Sequence, residues 1–281
     1  MKHPFLLPLI LFPLAACSGQ NAPSAAVAPE TTDNRIVALT SLSADLIQTL
    51  DDDALVGIPG NTLLRDDARF EGLPTVSEGR TEPDLEQIVA LEPTLVIGAA
   101  GFHDRTLQRL DELGIATLTT EVNSWDDLRS LTESLSALVE ADPQPLRDRY
   151  DACLAMAPDT SPTTLVLVSR QPLLTPNNSS WAGDFLAQFN VTNVAADLQG
   201  DSPFQGYITL PEEKVLDANP EVLLVVDAGE NLLDQLKGEP FWSQLKATQQ
   251  DQVYSFDYFG LVNPGSLASI EQTCTQLGAL F

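Results

Sequence analysis

The sequence is poor in basic residues and in histidine. It contains 14 Lys and Arg against 40 Asp and Glu, which gives a formal charge of −26 over 281 residues. Proteins that bind nucleic acids contact phosphates through clustered Lys and Arg, so this composition argues against a nucleic acid partner. His3 and His103 are the only histidines, and this excludes metal sites built from several histidines.

Signatures of several enzyme classes are missing as well. Neither a G-x-G-x-x-G loop for dinucleotides nor a G-x-x-x-x-G-K loop for nucleoside triphosphates occurs. A Ser-His-Asp hydrolase would have to use His103, and no Gly-x-Ser-x-Gly nucleophile turn accompanies it. We therefore expect a protein without catalytic activity, cofactor or resident metal ion.

The sequence has no hydrophobic run long enough to cross a bilayer as a helix, which takes about 20 residues. A short apolar run over 5–14 follows Lys2 and ends at Leu14-Ala15-Ala16-Cys17, which predicts a signal peptide over residues 1–16. This ending resembles the lipobox of bacterial lipoproteins, which implies cleavage before Cys17 and lipidation of its thiol. An ordinary signal peptide cut nearby is the alternative. Residues 17–34 are small and polar, and we expect a flexible tether there, carrying the lipidated cysteine.

Cysteine is scarce, with three residues in the chain. Without Cys17, the remaining pair is Cys153 and Cys274, both in helical patterns. An oxidising compartment permits a disulfide between them, and two free buried thiols are the alternative.

From Arg35 onward, short β-branched runs alternate with amphipathic helical patterns, which is typical of α/β proteins with parallel strands. The alternation covers residues 35–124, changes to helical patterns over 125–158 and restarts over 159–281. We therefore predict two Rossmann-like α/β lobes with central, mostly parallel sheets, joined by a bridging helix. Pro143 divides the helical segment, and Ser43 is the predicted cap of a helix that ends at Leu50.

An internal repeat supports the two-lobe plan. The segment EQIVALEPTLVI from Glu86 to Ile97 aligns with EKVLDANPEVLL from Glu213 to Leu224 at a shift of 127 residues. Each copy reads as a short helix, a proline turn and a buried strand. Two lobes of the same design imply a ligand cleft between them, since α/β proteins bind ligands at such places. Coincidence between two ordinary αβ units is the alternative.

Polar and aromatic residues follow the predicted strands of the first lobe. Ser41 presents a hydroxyl at the start of a helix, which favours an oxygen-rich or anionic ligand group. Phe102 and His103 follow a buried strand and offer a ring and an imidazole. The plainer alternatives are helix capping for the segment around Ser41 and simple exposure in a loop for His103.

Arg80 stands out in a chain with few cations. It lies just before the repeated helix, and its guanidinium could present five donors to the oxygen atoms of a ligand. A surface ion pair with Glu78 or Glu82 is the alternative.

The second lobe carries aromatic residues in loops beside strand or helix ends. Trp181, the segment Phe204-Gln205-Gly206-Tyr207 and Tyr258 provide apolar area with polar edges, which suits a bulky organic ligand better than a bare ion. Local packing against the core is the alternative for each cluster.

Taken together, these residues resemble the helical-backbone class of substrate-binding proteins, which serve ABC importers for ferric siderophores, haem and cobalamin. The ferric-hydroxamate-binding type is the nearest, because its Arg-Thr-Glu-Pro-Asn-Leu-Glu motif appears here as RTEPDLE over residues 80–86. The motif is followed by Glu92-Pro93, an apolar strand and Ala100-Gly101-Phe102.

The resemblance implies roles for individual residues. Arg80 would contact the iron-bound oxygens, Phe102 replaces a tyrosine that does so in that family, and Gln205 replaces a tryptophan. Glu86 and Glu213 match the glutamates, one from each lobe, that dock into arginines of the membrane permease.

We therefore expect a monomeric lipoprotein of the bacterial cell envelope, on the periplasmic side, that delivers an iron(III)–siderophore complex to an ABC permease dimer. The same class binding haem or cobalamin is the runner-up, with His103, Tyr207 or Tyr258 as an axial ligand for haem. A scaffold or sensor lipoprotein without a ligand is the alternative from a different class.

Overall fold

A computed structural model describes residues 34–79, 81–200, 202, 204–228 and 231–281. The predicted signal peptide, the predicted lipidation site Cys17, nearly all of the predicted tether and Arg80 lie outside the described residues. Across the described ranges, no helix combines the length and the apolar character needed to span a membrane.

The first lobe is built on a parallel sheet. Its five strands, all among the described residues, have the order β3-β2-β1-β4-β5. The strands are β1 (Ile36–Ala38), β2 (Leu55–Gly60), β3 (Thr75–Glu78), β4 (Leu95–Ala99) and β5 (Ala116–Thr120). The helices are α1 (Ser41–Leu50), α2 (Thr62–Arg65), α3 (Leu85–Ala90) and α4 (Asp104–Glu112).

Two helices follow the first sheet, namely α5 (Trp125–Leu138) and α6 (Gln144–Leu154). Ser124 caps α5, since its hydroxyl accepts a hydrogen bond of 3.1 Å from the Asp127 N–H. Pro143 occupies the cap position of α6, so the predicted division of the helical segment is present. A proline is tolerated there because the first amide groups of a helix have no partner within it.

The second lobe contains a parallel sheet and an antiparallel one. The parallel sheet has the order β12-β11-β6-β9, and the antiparallel sheet has the order β10-β8-β7. The strands are β6 (Thr163–Leu167), β7 (Ser169–Arg170), β8 (Leu173–Pro176), β9 (Thr192–Asn193), β10 (Tyr207–Thr209), β11 (Val222–Asp227) and β12 (Val253–Asp257). The helices are α7 (Trp181–Gln188), α8 (Glu212–Ala218), α9 (Leu232–Lys237), α10 (Lys246–Gln249), α11 (Tyr258–Leu261) and α12 (Leu267–Leu280). The predicted fold class, an α/β protein with mostly parallel sheets, is confirmed.

The repeat predicted from the sequence is present in the backbone. The shift of 127 residues superimposes the start of α3 on that of α8 and the start of β4 on that of β11. The turn between helix and strand is also shared, because Glu92 and Asn219, 127 residues apart, both have positive φ, 48° and 38°. Each repeated strand lies at an inner position of its parallel sheet.

One local prediction is wrong. The helix predicted to start at Ser43 begins at Ser41, and Thr40 is its cap. The Thr40 hydroxyl oxygen accepts a hydrogen bond from the Ser43 N–H at 3.2 Å, so Ser43 receives the cap instead of providing it. Two hydroxyl residues three positions apart offer the same capping chemistry, and the end of β1 at Ala38 determines which one is used.

The lobes share a hydrophobic core. One cluster of buried side chains contains Leu46 of α1, Leu135 of α5, Phe185 of α7 and Ile270 of α12. A disulfide between Cys153 and Cys274, with the Cα atoms 5.5 Å apart, joins α6 to α12 inside this cluster. The first of the two alternatives that the sequence left open for this pair is therefore the one in the structure.

Candidate ligand-binding cleft

The first lobe places its candidate residues at the carboxyl end of its sheet. Strands β1 and β4 are neighbours, and their following helices lead to β2 on one side and to β5 on the other. Such a change of direction opens a crevice where α/β proteins bind ligands. The loops at this crevice contain Ser41, which is buried at the start of α1, and Phe102 with His103.

The turn between β4 and α4 separates the roles of Phe102 and His103. The Phe102 side chain is 88% exposed, so its ring is available to a partner. The His103 Nδ1 atom accepts a hydrogen bond of 3.0 Å from the Ala99 N–H, which holds the turn closed. Burial lowers the pKa of His103, because the charged imidazolium is poorly solvated there. His103 is therefore a neutral, half-buried turn residue rather than a freely exposed one.

The segment on either side of Arg80 is tied to the sheet. Thr81 Oγ1 accepts a hydrogen bond from the Glu78 N–H at 3.1 Å and donates one to the Glu78 carbonyl at 2.8 Å. Gly79 adopts a φ of 57°, and its N–H donates to the Gly60 carbonyl at 2.8 Å. These hydrogen bonds hold Gly79 and Thr81 at the carboxyl end of β3.

The two acids considered as partners of Arg80 have other arginines beside them. Glu78 lies 3.6 Å from Arg65, and Glu82 lies 3.8 Å from Arg105. All four side chains are largely exposed, so these pairs contribute little stability.

In the second lobe, Tyr207 and Tyr258 form a tyrosine pair. Burial raises the pKa of Tyr207, and the nearby Tyr258 phenolate would raise this pKa further. The ring of Tyr258 also packs edge-on against Phe259, with centroids 5.4 Å apart. Tyr207 therefore keeps a phenol O–H that can donate a hydrogen bond, and both tyrosines are partly exposed.

The loop in front of β10 brings Phe204 and Gln205 to the surface. Phe204 is 60% exposed and Gln205 is exposed as well. The following Gly206 has a φ of 74°, and its carbonyl accepts a hydrogen bond of 2.8 Å from the Asn177 N–H. A Cβ at position 206 would collide with the Ser180 backbone at 2.6 Å, so the loop requires glycine to pack this closely.

Trp181 differs from the other predicted ligand-binding residues. Its side chain is only 3% exposed and can therefore offer a ligand almost no surface. The indole N–H donates a hydrogen bond of 2.8 Å to the Gly260 carbonyl, and the ring lies 5.5 Å from that of Trp125. Trp181 thus lies beneath the segment that contains Tyr258 and supports it. Its position in the first turn of an amphipathic helix is the signal that could have indicated burial.

The seam between the lobes contains two acids that sequence reasoning missed. Asp184 of α7 accepts a hydrogen bond of 2.7 Å from the Trp125 N–H. Asp45 of α1 is fully buried and accepts one of 2.7 Å from the Leu267 N–H, at the start of α12. In the sequence, the signal for Asp45 is an acid set among the apolar residues of a helix that otherwise reads as core.

A pocket of about 500 Å³ lies beside this seam, between residues 62–70 and the first turns of α12. Asp45 and Arg69 line it, with an Arg69 Nη2 to Asp45 Oδ1 distance of 2.9 Å. That oxygen has no aligned hydrogen bond, so the contact is an ion pair only. None of the predicted ligand-binding residues lines this pocket.

The predicted docking residues occupy equivalent positions in the two lobes. Glu86 and Glu213 are both exposed, and each lies in the first turn of a repeated helix, α3 or α8. Carboxylates are favourable at a helix N-terminus, because the helix dipole is positive there. Two such groups provide a matched pair of negative charges for a partner.

Comparisons with known proteins identify the family of this chain. Residues 36–258 match the periplasmic binding protein family. The Fe(3+) dicitrate-binding periplasmic protein FecB of Escherichia coli K12 is 27% identical over 240 residues, which cover 81% of this chain and 78% of FecB. The Fe(3+)-citrate-binding protein YfmC of Bacillus subtilis 168 is 24% identical over 188 residues, 63% of this chain. The aligned part spans 58% of the length of YfmC.

A solved structure supports the fold. An ABC transporter substrate-binding protein from Listeria monocytogenes EGD-e superimposes with a TM-score of 0.72 at 19% identity, over 89% of this chain and 98% of that one. At this identity the likeness concerns the fold alone. The family match extends over most of the chain and through both lobes. The chain belongs to the periplasmic binding protein family, as its resemblance to substrate-binding proteins implied.

Proposed function

We propose that this protein captures an iron(III) chelate between its two lobes and delivers it to an ABC importer, without chemistry of its own. The observation that carries the proposal is that polar and aromatic side chains follow strands in both lobes, since Phe102 and His103 come after β4 and Tyr258 comes after β12. The relatives named for ferric citrate support iron as the cargo.

Each lobe would contribute a different kind of contact. Arg80 of the first lobe would donate hydrogen bonds to the negatively charged oxygens around the iron. The tyrosine pair of the second lobe would cover the organic part of the ligand. A tyrosine phenol is protonated at neutral pH, and burial raises the pKa of Tyr207 further, so this group would act as a hydrogen-bond donor.

Two features would connect the protein to its transporter. Lipidation at Cys17 would hold it at the membrane, with residues 18–34 as the tether. Glu86 and Glu213 would meet basic pockets on the two permease subunits. Charges at the rim of an interface chiefly accelerate the encounter of the partners. The protein would act as a monomer in the cell envelope, on the periplasmic side.

Ligand binding is the first test. Protein that starts at Ser18 is titrated with ferric citrate, a ferric trihydroxamate, a ferric catecholate, haem and cobalamin, and its tryptophan fluorescence is recorded. We expect saturable quenching by a ferric chelate, weakened by Arg80→Ala. Arg109→Ala removes the same charge from an exposed position on α4 and should leave the affinity unchanged.

The panel also separates the alternatives. Binding of haem or cobalamin alone would support the same class of protein with a cargo other than an iron(III) chelate. No saturable binding of any compound would contradict the proposal and favour a scaffold or sensor lipoprotein.

Docking is tested separately from binding. The double variant Glu86→Gln and Glu213→Gln should retain wild-type affinity for the chelate and lose most of the uptake of iron in cells. Glu112→Gln changes an exposed acid at the C-terminal end of α4, outside the two repeated helices, and serves as the matched control. Unchanged uptake in the double variant would refute the docking role.

A further inference from the structure

A second polar pocket lies at the carboxyl end of the parallel sheet in the second lobe. It has a volume of about 200 Å³ and is lined by residues that follow β6 and β11. We call it the Arg170 pocket, because Arg170 is the one charged side chain among the described residues that line it. Val168, Ser169, Gln171, Val226 and Gln235 also line it. Strands β6 and β11 are neighbours, and the chain leaves them toward opposite sides of the sheet. This is the position in the second lobe that corresponds to the β1–β4 crevice of the first.

The Arg170 side chain uses only one of its N–H groups in a hydrogen bond to a described residue. Its Nε–H is used in an ion pair with Glu239 Oε1. Within the described part of the chain, neither of its Nη amino groups donates a hydrogen bond. The side chain is 37% exposed, whereas that of Glu239 is 16% exposed. Glu239 is therefore the more buried member of the ion pair. The Nη groups of Arg170 remain available to a ligand.

Arg170 is also the only arginine after residue 149 in the sequence. In a chain with a formal charge of −26, a guanidinium beside a ligand crevice is a specific source of positive charge. Guanidinium groups recognise carboxylates well, because two parallel N–H groups match the two carboxylate oxygens.

We propose that Arg170 is the anion contact of the second lobe, and that it selects ferric chelates with free carboxylates over neutral ferric hydroxamates. This inference rests on the proposed function, whose ligand class it narrows. A tris-hydroxamate complex balances the three positive charges of iron with three hydroxamate anions and leaves nothing for Arg170 to bind. A citrate complex carries carboxylates beyond those needed for charge balance. One of these would accept hydrogen bonds from the Nη groups.

Glu239 adjusts this contact. Its carboxylate fixes the direction of the guanidinium and at the same time repels an incoming anion. Glu239→Gln keeps an oxygen to accept the Nε–H hydrogen bond and removes the negative charge. We expect this variant to bind ferric citrate more tightly than the wild type and the neutral chelate equally well.

The test compares two probes, ferric citrate and a neutral ferric trihydroxamate, by fluorescence titration at low and at physiological salt. Arg170→Gln should weaken binding of ferric citrate by about tenfold or more, as expected for lost hydrogen bonds to a charged group. It should change hydroxamate binding less than about twofold and flatten the salt dependence for citrate. Arg170→Lys, which keeps a point charge, should recover part of the affinity.

Lys246→Gln is the matched control, because Lys246 pairs with Glu221 at the opposite, amino-terminal edge of the same sheet. Thermal denaturation of each variant establishes that it folds. Equal losses for both probes, no loss for citrate, or an equal effect of Lys246→Gln would overturn the inference. If the wild type binds only the neutral chelate, the inference fails and the proposed function stands. If the wild type binds neither probe nor any other iron chelate, both fail.

Discussion

Removal of the disulfide between Cys153 and Cys274 should lower the stability of the protein without changing its fold. The two residues are 121 positions apart, and the bond joins the linker helix α6 to the last helix α12. On the chain-entropy account, a closed loop of this length contributes about 4.8 kcal/mol, and measured disulfides contribute about 2–4 kcal/mol. We expect a loss of about 3 kcal/mol, which corresponds to a decrease in Tm of about 6–12 °C for a chain of this size.

The assay compares the wild type with the double variant Cys153→Ala and Cys274→Ala, both starting at Ser18. Each protein is unfolded with urea, and tryptophan fluorescence monitors the transition. Alanine avoids placing an unpaired hydroxyl in the core, where both sulfur atoms are buried. Reduction of the wild type with dithiothreitol is the matched control, because it breaks the bond and keeps every side chain. The reasoning is refuted if oxidised and reduced wild type unfold at the same urea concentration, or if the denatured, unreduced protein contains two titratable thiols.

Three further predictions concern buried polar groups. Asp45→Ala removes the acceptor for the Leu267 N–H and should cost about 2 kcal/mol in urea unfolding, with Asp45→Asn recovering part of the loss; an unchanged midpoint would contradict this role. The pKa of His103 is lowered on folding, so the unfolded state binds the proton more readily and stability should fall as the pH drops from about 6.5 through the folded pKa. His103→Asn should remove this component of the pH dependence, and a retained component would assign it to other groups. Trp181→Phe leaves the Gly260 carbonyl without its donor and should cost about 1–3 kcal/mol, and a variant as stable as the wild type would argue against the supporting role.

The sequence was a good guide to the elements buried on both faces. Strands β1, β4, β6 and β11 are short apolar runs, and such runs predict buried parallel strands well. The repeat also predicted which helix and strand of one lobe correspond to those of the other, since each copy keeps the same apolar spacing and turn.

Elements that depend on tertiary contacts were harder to predict. Strand β10 was not predicted, because it pairs with residues of β8 more than 30 positions away. The hairpin of β7 and β8 was not predicted either, and β7 is only two residues long. Trp181 was placed with the ligand-binding loops, yet its ring is buried beneath one of them. The aromatic ring alone suggested a ligand contact, whereas the position of Trp181 in the first turn of an amphipathic helix is the local signal for burial.

The candidate site was predictable in outline and not in detail. Phe102, His103 and Tyr258 were expected in segments that follow strands, and they come after β4 and β12, whereas Phe204 and Gln205 come before β10. Arg170 was missed, although its signal is simple, since it is the last arginine of the chain and comes three residues after a buried strand. Whether its Nη groups have partners depends on Glu239, which lies 69 positions away and contributes no local pattern.

The most direct test of a ligand site between the lobes is anomalous diffraction at the iron absorption edge. Crystals of the protein grown with the ferric chelate that binds most tightly would give one strong iron peak. We predict that this peak lies between the lobes, within reach of the tyrosine pair and of Phe102. A peak in the pocket between residues 62–70 and α12, or on the outer surface of either lobe, would contradict it.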